Sequence, residues 1–497
     1  MKKPNILFIM CDQMRFDAIG CNGNEIIKTP NLDRLAASGV NFKSAYTPNP
    51  ICVPARASLT TGCYPHKCTG IKDNKGSIKE GFPLLGEELN KRGYDTYAMG
   101  KLHYLPYMGP GEKRTTYGLQ TVELMESGRM LKEFDPKGEM KGIEDYHDYL
   151  HEVGWGGYYR GHGMGNNDIY PVPSVIPEEH YVDTWVTDRA LHHMKKHIGE
   201  KPENPFFMWA SFPKPHSAFD PPRPYDRMYD PREMPDPVGD IEMLKERGFD
   251  AKYMDHYKYM WNLLSNEAKK VIKAYYYALI SFQDKQIGRL LDFLEENDLR
   301  EDTIVVYTTD HGDMMGDFGL YFKQNFYNGS VHIPFMISYP ARIQGGRASE
   351  ELAGLQDLLP TLLSLSGEPL QQEVDGKDLT PVLLENKPVR DYYISQCNEG
   401  QKQQYMVADK EWKYIYHVLG GVEELFHETE DSHELKNLAE STETQIMDVK
   451  QKMREYLVTW CRENGDTGIL ENNELIQVEK PPMEIPKVNN PFGRRFH

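Results

Sequence analysis

Four sequence-distant stretches of this chain carry side chains suited to one kind of chemistry. Asp12 and Gln13 stand together near the start. Cys52 and Arg56 lie in ICVPARASLTTG, where Pro54 separates thiol from cation. Asp310 and His311 are adjacent in TIVVYTTDHGD. Lys101, His103, Lys214, His216 and Lys323 supply further basic groups at loop positions. Asp and Gln offer hard oxygen ligands for Ca²⁺, Mg²⁺ or Mn²⁺, and an Asp/His pair tolerates several divalent metals. Cations gathered around a metal make a trap for an oxyanion, as a sulfate or phosphate ester requires. Each group also has a plainer reading taken singly. Asp12 would serve as a cap or turn residue, Asp310-His311-Gly312 as a turn, the lysines as surface, and Cys52 as an inert buried thiol.

The elements needed to bring these groups together are legible as apolar runs. NILFIM at 5–10 reads as a strand buried on both faces, ending where Asp12 and Gln13 emerge. YDTYAM at 94–99 runs into Lys101 and His103, PFFMWASF at 205–212 into the Lys214 and His216 loop, and TIVVYT at 303–308 into Asp310. Helical spacing appears at 31–37, 84–92, 181–198 and 268–296. Strands alternating with helices predict an α/β fold, a large, mostly parallel sheet flanked by helices. Open sheets of this kind place their sites at the carboxyl ends of the strands. Residues 108–177 are rich in Gly, Tyr, His and Met and read as a loop-rich insertion, with Trp155, Tyr158 and Tyr159 as candidate stacking groups for a substrate. After about residue 390 short strands and one helix predict a smaller C-terminal α+β subdomain. The expected organisation is a catalytic domain at 1–385, then an antiparallel-sheet subdomain and tail at 386–497.

Composition narrows the partners. The chain has 497 residues, with 57 basic against 75 acidic side chains and a net charge of -18. That balance argues against a nucleic-acid binder, yet it leaves room for a local cationic pocket. No run approaches the roughly 18 apolar residues of a membrane span. The apolar run at the N-terminus is too short for a secretory h-region and lacks a small-residue cleavage site. Seven cysteines without a spaced framework suggest reduced thiols and a cytoplasmic location.

Together these motifs resemble the type I sulfatases of the alkaline-phosphatase-like superfamily. Cys52-Val-Pro54-Ala-Arg56, followed by Ala-Ser58-Leu-Thr-Thr-Gly62, is similar to that family's signature. NILFIMCDQMR, TPNLDRLAASGVNFKSAYT, GYDTYAMGKLH, TIVVYTTDHGD, AGLQDLLPTLLSLSG and EELFHETEDSHELKNLA match its other landmarks in order. The resemblance implies that Cys52 is converted to formylglycine by a maturation enzyme that reads Cys-x-Pro-x-Arg in the unfolded chain. The aldehyde hydrate then has two hydroxyls. One attacks sulfur and releases the alcohol, and the other expels sulfate and restores the aldehyde. It also implies a metal, Ca²⁺ foremost with Mn²⁺ or Mg²⁺ as alternatives, bound by Asp12, Gln13, Asp310, His311 and the converted Cys52. Arg56 and Lys101 would hold formylglycine and sulfate, His103 would serve the second step, and His216 with Lys323 would protonate the leaving oxygen. Lys214 would bind substrate nearby. Gln13 stands where many members have a second aspartate, as it does in choline sulfatases and phosphonate monoester hydrolases. The latter do not keep the Lys101-x-His103 pair in the same form. The expected activity is hydrolysis of a small-molecule or glycan sulfate ester, a carbohydrate sulfate being favoured. The alternatives are a phosphonate monoester or phosphodiester hydrolase with the same nucleophile, a thiol enzyme using unmodified Cys52, and a non-catalytic binder of sulfated ligands.

Overall fold

The computed structural model describes residues 3–104, 114–127, 142–248 and 264–480. Its centre is β1 (Asn5–Asp12), buried at every position. β1 pairs in parallel with β5 (Phe206–Pro215) on one side and β6 (Thr303–Thr309) on the other. Pairing on both edges and cover on both faces explains why NILFIM is continuously apolar rather than alternating. Leu7, Ile9 and Cys11 enter one core layer, while Ile6, Phe8 and Met10 enter the other.

β3 (Asp95–Gly100) lies parallel outside β5, and β4 (Thr121–Leu124) parallel outside β3. Beyond β6 come β7 (Phe335–Ser338), β2 (Val40–Tyr46) and β8 (Arg347–Gly354), with β7 antiparallel to both its neighbours. The order is β4-β3-β5-β1-β6-β7-β2-β8. The sequence pattern does not anticipate β2, β7 or β8. VNFKSAY and RASEELAG carry charged or polar residues, and FMIS is only four residues long. The 108–177 stretch differs from a plain loop insertion: its described part contributes β4 to the sheet edge and a helix at Asp145–Glu152.

Helices cover both faces. α1 (Pro30–Ala37), α3 (Val182–Glu200) and α4 (Asn266–Glu296) bury Leu32, Trp185, Val186 and Ile280 in the layer of Leu7 and Ile9. α2 (Cys52–Thr61) and α5 (Leu358–Leu365) bury Val53, Leu59, Leu359 and Leu362 in the layer of Phe8. α2 is buried along its whole length.

Near the C-terminus β9 (Tyr393–Cys397), β10 (Gln404–Ala408), β11 (Trp412–His417) and β12 (Val422–His427) form an antiparallel sheet. Alternation again sorts the faces. Tyr405, Val407 and Tyr414 pack with Leu457 and Trp460 of α6 (Thr444–Asn464), while Met406, Ala408 and Ile415 pack with Tyr46, Met314 and Tyr327 of the large unit. All seven cysteines are free. No helix among the described residues is long and apolar enough to cross a membrane.

Candidate active site

The carboxyl ends of β1, β3, β5 and β6 and the first turn of α2 meet at one point. Asp12 is the last residue of β1, Asp310 and His311 follow β6, and Cys52 opens α2. Ligand atoms of Asp12, Cys52, Asp310 and His311 all lie within 4.8 Å of one another, and all four residues are buried. Asp12 Oδ1 is buried without a hydrogen-bond partner. A buried carboxylate oxygen left unsatisfied is costly unless a cation meets it. Two carboxylates, an imidazole and the group at position 52 suit a hard or borderline divalent cation.

Arg56 stands one helical turn after Cys52, on the same side of α2, and is fully buried. Its Nε donates to Asp310 Oδ2 at 2.8 Å and its Nη2 to Asp12 Oδ2 at 3.3 Å. Its Nη1 donates to the Lys101 carbonyl at 2.6 Å and to Ser211 Oγ at 3.1 Å. The guanidinium therefore locks together the ends of β1, β3, β5 and β6. Lys101 Nζ forms an ion pair with Asp12 Oδ2. Its backbone comes close to β5 because the preceding residue is Gly100 (φ 106°), where a Cβ would fall 2.0 Å from the Ser211 carbonyl oxygen. Burial opposes charge on Asp12, but the Lys101 ammonium and the Arg56 guanidinium hold its carboxyl well below the usual range. For Cys52, burial and Asp12 push the thiol up. Lys323, His311 and Lys101 outweigh them and bring it down to about 7. Cys52 Sγ lies 3.1 Å from His311 Nε2, and the His311 Nδ1–H faces the Gly312 carbonyl at 2.9 Å.

A second group of residues lines the other side. Lys323 Nζ donates to Gln13 Oε1 at 2.5 Å and to His216 Nε2 at 3.0 Å. The His216 Nδ1–H donates to the Ser217 carbonyl at 2.9 Å. Burial and then Lys323 hold His216 well below the usual imidazole range, so the ring is neutral with its proton on Nδ1. Gln13 is in the left-handed region (φ 71°), and its amide Nε2 donates to Asp313 Oδ2 at 2.5 Å. His103 also has positive φ (57°). Glu126 fixes this segment by accepting from the Leu102 and His103 N–H groups at 3.0 and 2.8 Å.

Lys214 is near His216 in sequence, but its ammonium turns to Asp220 and the Ala218 carbonyl. That bonding differs from the expected substrate contact. Tyr159 also departs from its expected stacking role, being buried against Tyr146 and His147. Tyr158 is 53% exposed, with Trp155 edge-on to it at 5.7 Å. Ser211, Asp313, Glu126 and Asp220 escape sequence reading. Only Asp313, three residues after Asp310, has a positional signal.

Residues 4–368 match the Sulfatase family. The chain belongs to the sulfatase family. Residues 316–463 also match the C-terminal region of N-sulphoglucosamine sulphohydrolase. An arylsulfatase of Clostridium perfringens is 32% identical over 490 residues, spanning 96% of this chain and 98% of that protein. A choline-sulfatase of Rhizobium meliloti is 29% identical over 450 residues, spanning 88% and 83%. The phosphonate monoester hydrolase of Agrobacterium radiobacter shares the fold with a TM-score of 0.77 at 23% identity, covering 93% of this chain and 96% of its own. This sulfatase is accordingly a sulfuric ester hydrolase of alkaline-phosphatase-like fold.

Proposed function

We propose that this sulfatase hydrolyses a sulfate monoester to an alcohol and inorganic sulfate, using formylglycine made from Cys52, with a carbohydrate sulfate as the favoured substrate class. The observation that carries the reading is the setting of Cys52. It opens a buried helix, shares one 4.8 Å cluster with Asp12, Asp310 and His311, and has Lys101 and Lys323 acting on it. Cys52 and Arg56 are both 0% exposed, so a maturation enzyme would reach the signature only before folding. Asp12, Asp310, His311 and the residue at 52 would hold a divalent cation, Ca²⁺ by preference over Mg²⁺ or Mn²⁺. That cation would supply positive charge for the sulfate oxygens, and formylglycine would supply, as its hydrate, a two-hydroxyl nucleophile.

The protein's own groups do the rest. Arg56 fixes the two aspartates, and Lys101 places a cation beside Asp12. The leaving oxygen needs a proton as the S–O bond breaks. The proton between Lys323 Nζ and His216 Nε2 is placed to meet that need, because His216 itself is neutral. His103, two residues beyond Lys101, is assigned to the release of sulfate. The sugar preference rests on the exposed Tyr158 beside Trp155 and on the match of 316–463 to the C-terminal region of N-sulphoglucosamine sulphohydrolase.

Gln13 supports a second reading, a phosphonate monoester or phosphodiester hydrolase. An amide there leaves the site one negative charge short of an aspartate. The test is a paired assay with p-nitrophenyl sulfate and a p-nitrophenyl phosphonate ester, using protein whose Cys52 conversion is verified by peptide mass. A preference for sulfate is expected, and a preference for the phosphonate ester would establish the second reading instead.

A further inference from the structure

Lys214 is the penultimate residue of β5, two positions before His216, with its side chain only 3% exposed. Its three N–H directions are all taken. One goes to Asp220 Oδ1, one to the Ala218 carbonyl at 2.7 Å and one to the His216 carbonyl at 3.4 Å. No donor remains for a substrate anion.

Asp220 has further partners. Its Oδ1 also accepts from Tyr181 Oη at 3.3 Å, and its Oδ2 from His162 Nε2 at 3.0 Å. His162 Nδ1 accepts the Met164 N–H at 2.9 Å, which fixes the ring with its proton on Nε2. His162 belongs to the insertion, and more bonds run the same way. Ser217 Oγ donates to the Asn166 carbonyl at 2.7 Å, and the Val172 and Ser174 N–H groups donate to the Phe219 and Pro221 carbonyls at 3.2 and 3.1 Å. Behind the loop, Gln283 Nε2 of α4 donates to the Lys214 carbonyl at 2.7 Å. Burial opposes the charge on Asp220, yet Lys214 and His162 hold its carboxyl below the usual range.

We propose that Lys214 is a positioning residue: through Asp220 it fixes the 214–221 loop, setting His216 Nε2 against Lys323 and tying the insertion to the same loop. This rests on the sulfatase reading of the site. A positioning role makes a distinctive kinetic demand. Misplacing His216 weakens protonation of the leaving oxygen, and that loss grows as the leaving group becomes more basic. A lost anion contact would instead raise KM equally for every ester.

The test uses converted, metal-loaded enzyme and aryl sulfates running from p-nitrophenyl to phenyl. For Lys214→Gln and Asp220→Asn we expect kcat to fall little on p-nitrophenyl sulfate and by about 10²-fold on phenyl sulfate, with KM near the wild-type value. The double variant should lose little beyond either single one, since the pair acts as a unit. His162→Gln perturbs only the insertion side of the network and should show the same trend at smaller amplitude, so it serves where a buried-charge variant fails to fold. A uniform rise in KM with an unchanged leaving-group slope would overturn the proposal. A second readout needs no turnover: the ¹⁵N ring signals of His216, assigned by their loss in His216→Gln, should move in Lys214→Gln and Asp220→Asn. Unmoved signals would also overturn it, whereas inactive wild-type enzyme with moving signals would count only against the sulfatase reading.

Discussion

At the residue scale Arg56 carries more of the site than a simple oxyanion contact would. Its five N–H groups are arranged as a rigid fork, and here they reach Asp310, Asp12, Ser211 and a carbonyl of Lys101. Lysine has a point charge on a flexible stem and cannot reproduce that fork. Arg56→Lys should therefore loosen both carboxylates and lower metal affinity and activity by about 10–100-fold, as loss of a ligand-orienting partner typically does. Metal content after dialysis, read by elemental mass spectrometry beside the rate, checks this. Retention of both at wild-type level would return Arg56 to direct anion binding. The types of the key residues are legible in the sequence, because Asp12 ends one strand and Asp310 and His311 follow another, and both strands identify themselves as apolar runs. Their partners are not. Arg56 to Asp310 spans 254 positions, and the pairing of Gln13 with Asp313 spans 300. Such bonds depend on how strand ends align, which no local spacing encodes.

At the scale of elements, the strands of the large sheet legible in the sequence are β1, β5 and β6, buried at every position, and β3, where only Tyr97 is half-buried. Edge and half-exposed strands such as β8 carry charge on one side and lose that signal. Helices can be read from their apolar faces, but α3 hides an anomaly. Asp183, in its first turn, is fully buried, and its Oδ2 only reaches Gln283 Nε2 at 3.5 Å. Burial pushes its carboxyl up to about 7, against the pull of Lys214 and Gln283. Unfolded, the same group titrates near ~3.9. Between those values the native state holds a proton the unfolded chain has lost. This term is thus full at low pH and declines as pH rises toward 7. Asp183→Asn cannot titrate. Relative to wild type it should gain on the order of 2–3 kcal/mol between pH 5 and 8. Urea unfolding at both pH values measures the difference, and stability curves that stay parallel would show that Asp183 is charged in the fold.

For the whole molecule, the question is whether the small C-terminal sheet is a separable unit. Its inner face shares one apolar cluster with Tyr46, Met314, Phe318 and Tyr327 of the large unit. Buried polar contacts cross the same boundary. Lys413 of β11, with a fully buried side chain, donates to Asn328 Oδ1 at 2.6 Å and pairs with Glu434 at 2.5 Å and Glu428 at 3.2 Å. Tyr327 Oη donates to Glu424 Oε1 at 2.7 Å, and Lys72 Nζ reaches Tyr405 Oη at 2.9 Å and Asp466 at 3.1 Å. Pulling the units apart would expose that cluster and strand several charges, so neither side gains by unfolding first. Calorimetry should show a single transition for both. Lys413→Met would leave the buried Glu434 and the half-buried Glu428 without their cation, at a cost of about 3–5 kcal/mol. If the molecule is one cooperative body, this variant lowers the whole transition, and loss of sulfatase activity on heating follows the same curve. A new, earlier transition with activity intact would mean instead that the sheet unfolds on its own and that the shared cluster is a docked interface.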